Sequence, residues 1–150
     1  MEFSSVDDGE KLFGRALEAL AAGETTSALA LLERALKLVD NPSWHSYLGY
    51  CIAKERGQVR KGTELCIASL TLEPENPDHY LNLAKVHVIA AQKSEALSVL
   101  RQGMSVGGNP EILALLELLG TRKPPVLSFL SRDNIMNKVL GKLLGRMGLR

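Results

Sequence analysis

Apolar and small residues return along this chain at a fixed step of 34 positions. Ala28, Gly62 and Ala96 stand one step apart, followed in each unit by Leu32/Cys66/Leu100, Ala35/Ser69/Gly103, Leu36/Leu70/Met104 and Leu38/Leu72/Val106. Ahead of them run Ala16/Tyr50/Ala84 and the turn positions Gly23/Gly57/Ala91. The small residues and the turn positions keep phase with the leucines, which a chance alignment of leucine-rich helices would not require. A constant period of this length marks stacked helical hairpins.

Inside each unit the apolar residues recur at three and four, so each unit reads as two amphipathic helices. Residues 8–22 form the first, with Leu12, Phe13, Ala16, Leu17 and Leu20 on one face. Gly23-Glu24 turns the chain, and Thr25 is expected to cap the next helix, which ends at Asn41-Pro42. The second hairpin covers 43–56 and 59–72, broken at Gly57 and closed at Glu73-Pro74. The third covers 77–90 and 93–106 and closes at Gly107-Gly108-Asn109-Pro110. A short apolar helix, 111–119, follows as a cap, because the last hairpin of a stack otherwise leaves its stacking face wet.

At these residues the chain resembles the tetratricopeptide repeat family. The resemblance rests on Tyr80-Leu81-Asn82-Leu83-Ala84 with Ala96-Leu97 and Leu100, on Gly57, Leu70 and Glu73-Pro74, and on Ala16, Gly23, Ala28, Leu32 and Ala35-Leu36. It spans three units over about 9–110. It departs from the family pattern at Gly62, where alanine is usual, and at Trp44, Leu48 and Gly49, which sit one residue early. The resemblance implies an all-α, right-handed superhelical stack of antiparallel hairpins, with the first helix of each hairpin on the concave side. The groove candidates are then Phe13, Leu17, Trp44, Tyr47, Cys51, Leu81, Lys85 and Val88, with Glu10, Lys54 and Asp78 beside them. Some members of the family clamp a terminal carboxylate with Lys, Asn and Arg. The matching places here hold Phe13, Leu17, Asp78 and Asn82, so an apolar helix or extended peptide suits this wall better.

A hydrophobic content of 45% in 150 residues is ample for one helical core. With three Phe, three Tyr and one Trp, that core is built mainly from Leu and Ala. No secretory leader or membrane span is visible, and Cys51 and Cys66 read as small buried residues of a reducing compartment, so a cytoplasmic protein is expected. Residues 1–8 are expected to be a flexible acidic lead-in.

Charge divides the chain. Residues 1–119 hold 11 Lys/Arg against 16 Asp/Glu, whereas residues 120–150 hold seven basic residues against Asp133 alone. After Gly120-Thr-Arg-Lys-Pro-Pro125 and the apolar group Val126, Leu127, Phe129 and Leu130, residues 134–147 read as a basic amphipathic helix. Ile135, Met136, Val139, Leu140, Leu143 and Leu144 form one face, and Lys138, Lys142 and Arg146 another row. Its apolar face needs a cover. The choices are the chain's own stack, a second copy in a tail-mediated homodimer, a protein partner, or an acidic membrane surface. Nucleic acid fits poorly, because the basic residues are spaced singly without interleaved aromatics.

Catalytic constellations do not emerge. His45, His79 and His87 lack a metal spacing, and His45 and His79 read as equivalent surface positions. Gly141-Lys142-Leu-Leu-Gly145 lacks the features of a phosphate loop. Glu73, Glu75 and Asp78 read as solvated loop charges. No cofactor or metal is expected, and the reading is of a binding scaffold or adaptor, not an enzyme.

Overall fold

Asparagine followed by proline opens three of the helices, and this pair organises the fold. Asn41 Oδ1 accepts from the Ser43 amide at 3.0 Å and Asn76 Oδ1 from the Asp78 amide at 3.0 Å. Asn109 Oδ1 accepts from the Ile112 amide at 2.8 Å. In each case the side chain satisfies an amide that the first turn leaves bare, while proline, lacking an N–H, occupies the first helical position at no cost.

The computed structural model describes residues 2–120. Its helices are α1 (Glu2–Ala21), α2 (Thr25–Leu38), α3 (His45–Arg56), α4 (Val59–Leu72), α5 (Pro77–Ile89), α6 (Lys93–Ser105) and α7 (Pro110–Gly120), with a 3-10 turn at Pro42–Trp44 before α3. No strand occurs among the described residues. Helices α1 and α2, α3 and α4, and α5 and α6 pair as antiparallel hairpins. Successive hairpins stack through α2 on α3, α3 on α5 and α4 on α5, and α7 closes the end on α6. The result is an all-α, right-handed solenoid. The tail positions Phe129, Ile135, Lys138, Val139, Leu140, Lys142, Leu143 and Arg146 lie outside the described residues.

Three boundaries differ from expectation. Helix α1 begins at Glu2, so the stretch expected as a flexible lead-in forms its opening turns. Thr25 does not cap α2, since residue 24 makes no side-chain cap bond. The Thr25 and Thr26 hydroxyls instead donate to the two carboxylate oxygens of Glu55, tying the first hairpin to the second. Finally, Trp44 completes the 3-10 turn and precedes α3, which absorbs the early Trp44-Leu48-Gly49 register.

Close helix approach depends on small side chains in phase. Ala28 and Ala96 have no exposed surface, nor do Ala16 and Ala84 on the facing helices. In the middle hairpin the approach is tighter still. A Cβ on Gly62 would lie 2.6 Å from the Gly49 carbonyl oxygen, and one on Gly49 would lie 2.5 Å from the Gly62 oxygen. Leu32, Leu100, Ile112 and Leu115 fill the space between hairpins and are fully buried. The intra-hairpin turns use left-handed backbone at Gly23 (φ 78°), Gly57 (φ 68°) and Ala91 (φ 60°), the three positions that share one phase.

Candidate functional site

The inner wall of the stack is lined by α1, α3 and α5, and its surface follows from which side chains the hairpin contacts leave over. One depression of about 190 Å³ opens there, bordered by Leu17, Leu20, Ala21, Tyr47, Tyr50, Asp78, Leu81, Asn82, Lys85 and Glu111. Leu17, Leu20, Tyr47 and Leu81 make an apolar strip across the hairpins, and Asp78, Lys85 and Glu111 rim it.

Aromatic packing sets the position of Tyr47. Phe13 stacks on Trp44 with ring centroids 4.6 Å apart and planes 9° from parallel, and meets Tyr47 edge-on at 5.4 Å. The Tyr47 hydroxyl donates to Asp78 Oδ2 at 3.2 Å, and Asn109 Nδ2 donates to Asp78 Oδ1 at 2.9 Å. Because Asn109 also caps α7, a single carboxylate joins α3, α5 and the closing helix at the groove wall. Burial, and then the Asp78 charge, push the Tyr47 phenol well above its ordinary range, so it stays a neutral donor. Lys85 Nζ sits 4.9 Å above the Tyr50 ring and 3.4 Å from Glu111 Oε2, which holds its charge at the rim.

Four of the residues expected at the groove, Leu17, Tyr47, Leu81 and Lys85, border this depression. Phe13 is half-buried and serves Trp44 and Tyr47. Trp44, Cys51 and Val88 are buried in the stack and do not border the depression, whereas Leu81, also buried, contributes only its edge there. Burial pushes the Cys51 thiol up to about 12 and the Cys66 thiol higher still, and both cysteines are free, so neither is an active nucleophile. Asn82, expected only as a position matching the carboxylate clamp, borders the depression, and so do Leu20, Ala21 and Tyr50, which were not anticipated. Tyr50 lies one helical turn from Tyr47, which is a signal in the sequence. Glu111 belongs to α7, outside the repeat, and no period could have placed it.

A second polar cluster lies beneath this wall, and it corrects the reading of His79 as a surface residue. His79 and Ser46 have no exposed surface. Ser46 Oγ lies 2.7 Å from His79 Nδ1, and His79 Nε2 lies 2.6 Å from Glu73 Oε1. Asn82 Nδ2 donates to the same Ser46 oxygen at 2.9 Å. The Glu73 carboxylate can only accept, so the ring proton lies on Nε2 facing it, and the serine hydroxyl, which accepts from Asn82, is left to donate to Nδ1. Next to it, Ser69 Oγ accepts from the Ser46 amide at 2.8 Å and donates to the Pro42 carbonyl at 2.6 Å. Glu73 is therefore no idle loop charge: the bond from His79 holds its carboxyl below the usual range.

Serine, histidine and carboxylate in a line suggest a hydrolytic triad, but the arrangement has no access. Neither Ser46 nor His79 borders the depression, and both are sealed between hairpins. Their role is to join α3, α5 and the end of α4. Among the described residues no group of His, Cys, Asp or Glu is placed to hold a metal, and no helix is long and apolar enough to cross a membrane.

The architecture is similar to that of the Sgt2 TPR domain from Aspergillus fumigatus, seen in its crystal structure. The TM-score is 0.59 at 22% sequence identity, over 75% of this chain and 76% of that one. This is a likeness of fold. No family model matches the sequence, and the comparison with curated proteins yields no match.

Proposed function

We propose that this chain is a protein-interaction module of three tetratricopeptide-type repeats, an adaptor that takes an apolar helix or extended segment of a partner protein in its concave groove. The observation that carries the reading is the strip of Leu17, Leu20, Tyr47 and Leu81, continuous across three hairpins and rimmed by Asp78, Lys85 and Glu111. Apolar strips of this kind supply burial, while the fixed polar groups at the edge set the register of a bound segment. Tyr47 suits the part of an anchor, being large, rigid and already oriented by Phe13 and Asp78.

Leu17 provides the test, because it borders the depression without belonging to the packed core. Helical peptides selected by display against the full chain should bind Leu17→Glu about tenfold more weakly, a loss of about 1.4 kcal/mol, with the melting temperature held. Peptides that bind the wild type and Leu17→Glu equally would place recognition elsewhere and remove the proposal.

A further inference from the structure

We propose that the groove is occupied in the free protein by the chain's own basic segment, residues 134–147, so that a partner must displace it. The inference rests on the groove reading above and adds its regulation.

Charge is the first argument. Residues 1–119 carry 11 basic and 16 acidic side chains, a balance of −5, and residues 120–150 carry seven basic side chains and one acidic, a balance of +6. The groove shares the sign of the body: Asp78 and Glu111 outnumber Lys85 along its border. A row of Lys138, Lys142 and Arg146 beside an apolar row of Ile135, Val139, Leu140 and Leu143 complements this wall, which has an apolar strip and a rim with one carboxylate in excess of its lysine. Opposite net charges on two parts of one chain draw them together before any contact forms.

Length is the second. Helix α7 carries Glu111 at its start and ends at Gly120. The two residues are about 14 Å apart along the helix axis. Residues 121–133, fully extended, reach about 43 Å, so the segment returns to the groove without strain. A helix over 134–147 would be about 21 Å long. The wall formed by α1, α3 and α5 is two interhelical steps across, about 20 Å. Tethering also makes the encounter intramolecular, which favours it over an untethered ligand of equal affinity at ordinary concentrations.

A nitroxide on Asn137→Cys in the full chain tests the seat, since the native thiols Cys51 and Cys66 are buried and escape labelling. Amide signals of Leu17, Tyr47, Leu81 and Lys85 should broaden, and the broadening should survive tenfold dilution at the mass of one chain. Broadening that fades on dilution means a second copy and overturns the proposal. So do sharp groove amides, whether the segment pellets with phosphatidylserine vesicles or not. In a second arm, Lys138→Glu/Lys142→Glu/Arg146→Glu in the full chain should bind a display-selected groove peptide about tenfold more tightly, the gain expected when a groove free one-tenth of the time is released. Equal affinity in both chains together with sharp groove amides removes the self-occupied seat and leaves the groove reading intact. Broadened groove amides with Leu17→Glu failing to weaken the peptide keep the seat and remove the groove reading.

Discussion

Replacing Ser46 by alanine deletes one oxygen, and the consequence can be worked out atom by atom. That oxygen receives the Asn82 amide at 2.9 Å and satisfies His79 Nδ1 at 2.7 Å. His79 has no exposed surface, so solvent cannot take the place of the hydroxyl there, whereas Asn82, 4% exposed, borders the depression and can recover part of its bond from water. The Ser46 amide keeps its own acceptor, Ser69 Oγ, so the start of α3 is unaffected. The His79 nitrogen loses its partner in full, at about 1–3 kcal/mol, and the Asn82 amide in part, at about 1 kcal/mol, which gives a loss of about 2–4 kcal/mol. In a chain of this size that lowers the melting temperature by roughly 10 °C. Urea titration followed by far-UV circular dichroism reads the loss, with Ser27→Ala, exposed on α2, as the control near zero. Stacked hairpins can unfold in parts, so amide exchange along α3 and α5 should show where the opening rises. A change below about 0.5 kcal/mol would refute the reasoning, because it would mean the cluster is reached by water or is not bonded as described.

Other expectations concern backbone approach, turn strain and acid. Gly62→Ala should destabilise by about 1–2 kcal/mol despite the better helix propensity of alanine, since the new Cβ meets the Gly49 carbonyl oxygen at 2.6 Å. The same change at Gly14, where a Cβ meets nothing within 4 Å, should instead stabilise by about 0.5–1 kcal/mol; denaturant midpoints decide both signs. Ala91→Gly should raise the melting temperature, relieving a left-handed alanine (φ 60°) by about 0.5–1 kcal/mol net of the added chain entropy. Acid stability follows from Glu73 and Glu55, whose carboxyls are held below their usual range by bonds from His79 and from Thr25 and Thr26 respectively. The folded state then binds fewer protons than the unfolded one. The stabilisation is present above the ordinary carboxylate pKa and is lost as pH falls through the depressed folded values. Glu73→Gln, which keeps an acceptor for His79 while removing the charge, should flatten that acid limb in melts run across pH; an unchanged limb would contradict the assignment.

Much of the helical layout was legible because helix and hairpin are local properties. Period 34, the glycine turns and the Asn-Pro breaks act on residues near them in the chain, and the helices from Thr25 to Ser105 fall within two residues of the expected ranges. Leu32 and Leu100, marked by phase alone, are fully buried. The lining of the depression was legible in part. Helical phase chose Leu17, Tyr47, Leu81 and Lys85, but it also chose Trp44, Cys51 and Val88, since phase states which way a residue points and not what already stands there. Trp44 is covered by Phe13 from the preceding hairpin.

Histidine 79 marks the limit most sharply. Against the sequence it stands one period from His45, and equivalence was the natural inference. In the fold His45 meets Asp40 at a half-covered edge, whereas His79 lies sealed behind Ser46 and Glu73. The repeat determined that two-helix units would form and stack, because amphipathic faces and small residues in phase leave the hairpins no other way to bury their apolar sides. Which polar groups meet at each junction was decided only in three dimensions. Each such bond joins residues of different elements whose separation in the chain carries no periodic signal, and burial makes its partner's identity worth more than its type.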